Sequence, residues 1–253
     1  MRLMIKLIII ILIITKSLCY AGNIHDSVSD SKYLEYGKKY PCLVPVFIKK
    51  NKSVVGSGSG TIIHPNFIIT AAHVVCDKDV DVSIDYNNLL YKIDKIIIHP
   101  DFNQSFAKND IALLKTTINM DIKSIPELYS GRDEIKKLSA IGGYGVTGKG
   151  STGYRTSDNK LRVGTNRIDY IRDNLLCCSF SKGNRSILEF IITPGDSGGG
   201  LFINGKLAGI NSCIMASDGK ANGNFGDESG HTRISDFISW IELEINHGNI
   251  YGL

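Results

Sequence analysis

A serine among glycines, a histidine beside alanines and an aspartate at the mouth of an apolar run are the residues of this sequence best suited to chemistry. Thr193-Pro194-Gly195-Asp196-Ser197-Gly198-Gly199-Gly200 sets one hydroxyl among residues without side chains, where backbone can approach a bound group closely. A serine at its free pKa is a weak nucleophile. It needs a neighbouring base and a place for the anion that develops when it attacks a carbonyl. The backbone N–H groups of Gly195 and Ser197 are candidates for that place. Ile68-Ile69-Thr70-Ala71-Ala72-His73-Val74-Val75 offers His73 as a base at the end of an apolar strand. Asn109-Asp110-Ile111-Ala112-Leu113-Leu114-Lys115 offers Asp110 as an acid at a strand entrance. Each alone has an ordinary alternative: a glycine-rich turn, a structural histidine, a capping aspartate.

Short apolar runs separated by turn residues must position these groups. Leu43 to Ile48, Thr61 to Ile63, Phe67 to Thr70, Lys95 to Ile98 and Ile111 to Lys115 read as strands, with His64-Pro65-Asn66 as a turn. The glycine-rich stretch from Gly142 to Gly153 separates them from a second set: Gly164 to Ile171, Ile187 to Ile192, Leu201 to Ile203 and Lys206 to Ser212. Asn204-Gly205 is a hairpin signal. Near the end the period changes, and Ile234, Phe237, Ile238, Ile241 and Ile245 follow helical spacing over 235–246. The pattern is two strand-rich halves, about 41–125 and 135–233, closed by a helix.

The chain has 253 residues, 43% hydrophobic and 21% charged, which argues against disorder and coiled coil. Its first residues differ in kind. Arg2 and Lys6 precede an apolar run from Leu7 to Ile14, and Lys16 and Cys19-Tyr20-Ala21 follow. This is the pattern of a signal peptide over 1–21, cleaved after Ala21. The run is shorter than the roughly 20 apolar residues a membrane span needs, so no stable anchor is expected after cleavage. The expected location is secreted or periplasmic. The segment carries three basic residues and no acid, so the remainder is nearly neutral, with no reason to expect nucleic acid as a partner. Residues 22–40 are polar and read as a lead segment, a flexible arm or a propeptide. Beyond the leader, Cys42, Cys76, Cys177, Cys178 and Cys213 remain, an odd number whose pairing the sequence does not give. No metal-ligand spacing is present, and Asp77, Asp79 and Asp81 read as a solvated acidic loop before a calcium site.

The three reactive segments, in this order and with His99-Pro100 and Gly143-Tyr144-Gly145 between them, resemble the motifs of the trypsin/chymotrypsin family over about Tyr40 to Trp240. The resemblance implies an all-β fold of two antiparallel six-stranded barrels with a C-terminal α-helix, in a protease domain over 41–253. It implies a monomeric endopeptidase acting on proteins or peptides, without cofactor or metal. Ser197 would be the nucleophile, His73 the base and Asp110 its orienting acid, with Gly195 and Ser197 as oxyanion donors. Ser212 matches a serine beside the acid, or is an ordinary strand serine. Ile191, Ile214 and Ser229 match the specificity pocket and imply preference for small or apolar side chains, although core packing explains both isoleucines equally well. Glu189 is the alternative reader of a basic side chain. His64, His99, His247, His25 and His231 read as structural.

The sequence also departs from the family. No Ile-Val-Gly-Gly segment occurs where cleavage would free an amine for Asp196. Val74 and Thr193 stand where animal members have cysteine, and Cys42 with Cys76 is the pairing that could substitute. A catalytically silent binding protein on the same scaffold is the alternative function. The missing activation motif favours it, and the intact set of three reactive residues opposes it.

Overall fold

Buried and half-exposed residues alternate along Leu43–Lys50, and this period of two turns one face of the strand into a core. The computed structural model describes residues 22–156, 158–183 and 185–250, so the expected leader lies outside them. After β1 (Asn23–Ile24) and α1 (Asp30–Gly37) come β2 (Leu43–Lys50), β3 (Ser53–His64), β4 (Phe67–Thr70), the short α2 (Ala72–Val75), β5 (Asp81–Tyr86), β6 (Leu89–Ile98) and β7 (Ala112–Thr116). The strands β2 to β7 close into a barrel in the order β2-β3-β4-β7-β6-β5, which leaves no free edge. Val46, Ile62, Ile68, Ile84 and Leu114 fill it.

The second half contains β8 (Leu138–Gly143), β9 (Thr147–Lys149), β10 (Gly153–Thr156), β11 (Arg162–Arg167), β12 (Tyr170–Arg172), β13 (Leu175–Ser179), β14 (Phe190–Ile191), β15 (Gly200–Ile203), β16 (Lys206–Met215) and β17 (Glu228–Arg233). Its main sheet has seven strands in the order β11-β8-β15-β16-β17-β13-β12, and a four-stranded sheet, β10-β9-β1-β14, adjoins it. The all-β class is as expected, and the six-stranded closed barrel is the first half. In the second half a side chain spans the gap that a ladder closes in the first. Asn166 on β11 donates through Nδ2 to Ser179 O of β13 (3.0 Å) and Phe190 O of β14 (3.2 Å). Asn204 and Gly205 both have positive φ, 50° and 80°, as a two-residue hairpin turn requires. A 3₁₀ turn (Ile234–Asp236) leads into α3 (Ile238–Ile250). Ile234, Phe237 and Ile241 join Phe67, Ile69 and Phe202 in the core shared by the two halves.

Residues 22–40 are not a loose arm. β1 pairs with β14 and β9, and Tyr33 on α1 is fully buried. The Tyr33 hydroxyl donates to Glu189 O (2.9 Å) and accepts from His25 N (3.2 Å). Arg162, 2% exposed, fastens the other side of α1. Its Nε and Nη2 donate to the two carboxylate oxygens of Asp30 (2.6 and 2.8 Å), and Nη1 and Nη2 to those of Asp158 (2.8 and 2.7 Å). A planar guanidinium that stays charged suits this double fork, which no lysine could fill.

Replacing Arg162 by Leu breaks both pairs and leaves two acids facing each other. The expected loss is about 2 kcal/mol, below the cost of breaking a fully buried pair because both carboxylates reach solvent. Urea unfolding measures it. An unchanged midpoint would mean α1 is held by Tyr33 alone.

Candidate active site

β4 ends at Thr70, and the small buried residues Ala71 and Ala72 let the chain turn into α2, which carries His73 out over the end of β7. Asp110 precedes β7 and is 1% exposed. Its Oδ1 accepts from the His73 backbone N–H (2.9 Å), and its Oδ2 meets His73 Nδ1 (2.7 Å) and the Ser212 hydroxyl (2.6 Å). Three partners satisfy a carboxylate that has almost no access to water. Because a carboxylate only accepts, the Nδ1 proton belongs to His73, and Nε2 is left as an acceptor. Asn109, at φ 52°, makes the turn into Asp110, and Thr232 Oγ1 donates to Asp110 O (3.0 Å). Ser212 thus joins the acid directly.

The serine loop is held by its backbone. Gly195 and Gly198 have φ of 93° and 86°. A Cβ on Gly198 would lie 2.1 Å from Ser59 O and Thr70 Oγ1, so the loop admits only glycine there. Ser59 N donates to Ser197 O (2.8 Å), Ser59 Oγ to Gly195 O (2.8 Å) and Val146 N to Pro194 O (2.8 Å). The N–H groups of Gly195 and Ser197 meet no acceptor among the described residues. Such an arrangement can stabilise an oxyanion beside a hydroxyl. Ser59, fully buried and also accepting from Tyr144 N (2.9 Å), was not singled out by motif. A serine in a strand carries no signal of its own.

The partner that the sequence did not reveal for Asp196 is the backbone nitrogen of Gly22, 2.7 Å from Oδ2. Asp196 is fully buried. It also accepts from Thr193 N (2.8 Å) and Gly145 N (2.8 Å). Burial pushes its carboxyl up to about 6, against the pull of these donors. A Cβ on Gly22 would lie 1.9 Å from the Phe190 ring. The ring therefore occupies the space that a side chain at position 22 would take. Two sequence signals, the small residues ending at Ala21 and the unpartnered Asp196, could have found this pair had they been joined.

Ile191 and Ser229 are fully buried, and Ile214, the cross-strand partner of Ser229, is half-buried. Ile191 pairs with Asn23 in the β1–β14 ladder. Glu189 is fully buried, and its two carboxylate oxygens accept from Ser181 N (2.9 Å) and Arg185 N (2.6 Å), so it braces a loop and faces no ligand. Cys42, Cys76, Cys177, Cys178 and Cys213 are free thiols. The pairing of Cys42 with Cys76 is absent: Cys42 packs in the shared core, while Cys76 follows α2 with its thiol toward His73 O. Among the described residues no three side chains cluster as metal ligands.

A family model described as Trypsin matches residues 33–241. Trypsin Tyr p 3.0101 of Tyrophagus putrescentiae is 30% identical over 210 residues, covering 73% of this chain and 70% of its own. Duodenase-1 of Bos taurus is 27% identical over 200 residues, covering 72% and 75%. Mast cell protease 3 of Ovis aries is 25% identical over 255 residues, covering 92% and 95%. With a match of this extent around a buried Asp–His pair and a glycine-flanked serine, the chain belongs to the trypsin family of serine endopeptidases.

Proposed function

We propose that this endopeptidase cleaves peptide bonds through Ser197, His73 and Asp110, that it is exported, and that removal of the leader after Ala21 also arms the site. The observation that carries the reading is Asp110, gripped by His73 Nδ1, His73 N and Ser212 Oγ, which leaves His73 Nε2 free to take a proton. Ser197 Oγ attacks the scissile carbonyl carbon while Nε2 takes its proton. The tetrahedral oxyanion lies between the N–H groups of Gly195 and Ser197. Collapse breaks the C–N bond, and the leaving amine takes the proton from His73. Water then repeats the sequence on the acyl-enzyme. Asp110 keeps its charge and stabilises the imidazolium.

Small or apolar side chains before the scissile bond fit this chain better than Lys or Arg. The fully buried Ile191 and the half-buried Ile214 stand at the positions matched to the family's pocket and bring no acid to them, and Glu189 is occupied by backbone donors. Export rests on the basic and apolar pattern of 1–21; among the described residues no helix is long and apolar enough to cross a membrane. Cleavage after Ala21 would convert the Gly22 nitrogen, 2.7 Å from Asp196, from a neutral amide into an ammonium ion.

A fluorophosphonate is expected to label Ser197 in the chain that starts at Gly22. Ser197→Ala is expected to abolish both labelling and peptide cleavage, and Asp110→Asn to lower kcat by about 10⁴. Full activity in either variant rejects the assignment. A peptide library cut only after Lys or Arg rejects the apolar preference.

Stability against pH tests the terminus. With an amide at Gly22, Asp196 titrates at about 6 instead of 3.8, so between those values the folded form keeps a proton that the unfolded chain has released. Stability then falls as pH rises from about 4 to 6. An ammonium at Gly22 holds the carboxylate down, and its contribution is present above the unfolded carboxylate pKa. It is lost as pH falls and again as the amine deprotonates, which begins near pH 8 for an unperturbed terminus. Chains with and without Ala21 are expected to diverge in urea unfolding as pH rises from about 4 to 6 and to stay apart up to about pH 8, the Gly22 form being the more stable. Parallel curves would reject the ion pair.

A further inference from the structure

Behind the serine loop lies a row of polar side chains that the steps above do not use. Asn211, His231 and Ser229 are each fully buried. A buried polar group costs free energy unless it is bonded, so a satisfied row of them in a position apolar side chains could fill has a specific geometry to maintain.

Asn211 Nδ2 donates to two carbonyls, Asp196 O (3.0 Å) and Gly142 O (3.0 Å). Its Oδ1 therefore faces His231 Nδ1 (2.9 Å), which must carry the proton. His231 Nε2 is then an acceptor, and Ser229 Oγ donates to it (2.9 Å). Burial pushes the imidazole down to about 3, so the ring is neutral, with the one donor and one acceptor this row requires. Gly199 makes the space: a Cβ there would sit 2.8 Å from Asn211 Nδ2.

The carbonyl that Asn211 holds shares a peptide plane with the N–H of Ser197. In a trans peptide the two point in opposite directions, so fixing Asp196 O aims the Ser197 N–H away from Asn211, toward the open side of the loop. The plane of the second donor, Gly195 N–H, is fixed separately by Val146 N on Pro194 O (2.8 Å). Gly199 N also reaches Asp196 O (2.9 Å), so the plane has two clamps, one of them a side chain.

We propose that Asn211 is a positioning residue for the oxyanion hole: its amide, oriented by His231 and Ser229, holds the Asp196–Ser197 peptide so that the Ser197 N–H faces the reacting carbonyl. This inference rests on the assignment of Ser197 as nucleophile. Ser229, at a position matched to the specificity pocket, spends its hydroxyl on the row.

Asn211→Leu keeps the size and removes the donor. Fluorophosphonate labelling of the unaltered enzyme comes first; if Ser197 does not react, the catalytic assignment falls and takes this inference with it. If it reacts, Asn211→Leu is expected to lower kcat about 10- to 100-fold with KM unchanged, less than the full loss of a donor because Gly199 N remains. The affinity of a peptide aldehyde, whose hemiacetal oxygen takes the place of the oxyanion, is expected to fall by the same factor. His231→Leu is expected to reproduce the effect, and His231→Gln, which retains a donor for Asn211 Oδ1, to restore most of it. Native kcat in a folded Asn211→Leu enzyme overturns the inference, as does a lower kcat with aldehyde affinity unchanged. Should Asn211→Leu not fold, the two His231 variants decide: equal activity overturns the inference, and rescue by Gln supports it.

Discussion

A carboxylate with no access to water must be met by donors or by a cation, and Asp196 is the carboxylate around which this molecule is arranged. Its oxygens gather backbone N–H groups from three separate segments, Gly22 before β1, Gly145 after β8 and Thr193 after β14. These contacts set the backbone between Thr193 and Ser197, the serine proposed as nucleophile. Donors alone leave the acid partly protonated near neutrality, since burial holds its pKa at about 6. The proposed cleavage after Ala21 would complete the balance by placing an ammonium at Gly22. On the proposed cleavage after Ala21, the segment that starts at Gly22 would become part of the support of the serine loop.

The rest of the loop is fastened without disulfides. Val74 and Thr193 stand where animal members have cysteine, and hydrogen bonds hold the same backbone. Ser59 bonds Gly195 and Ser197, and Asn211 bonds Asp196. The Thr193 hydroxyl donates to Val146 O and lies 3.1 Å from Asp196 Oδ2. Each bond is individually weak, on the order of 1 kcal/mol, but each fixes one peptide plane, and the direction of an N–H is what an oxyanion site needs. The five free thiols take no part in this fastening.

Ser197, His73 and Asp110 each sit in a local motif whose residue types answer a chemical need, and the structure brings His73 and Asp110 together. β4, β15 and the terminal helix were legible because their apolar period is visible within a few residues. β17 was not: it is buried on both faces, by Ser229, His231 and Arg233 on one and Thr232 on the other, polar residues whose burial depends on partners far along the chain. α1 escaped for the same reason, being held by Tyr33 and by the Asp30–Arg162 pair instead of an apolar stripe. The burial of Ile191 follows from β1 inserting beside β14, and the partner of Asp196 lies 174 residues away. Spacing along a sequence does not encode such a contact; only a buried acid in search of a partner hints at it.

The most direct test adds a single residue. A chain beginning at Gly22 and one beginning at Ala21 differ by that one residue, which decides whether the nitrogen beside Asp196 is an ammonium or an amide. Titration with a fluorophosphonate at pH 7 is expected to label Ser197 fully in the first and at least about 100-fold more slowly in the second, the range over which oxyanion geometry acts. Equal labelling rates would show that Ser197 is set without the Gly22 ammonium and would contradict the account.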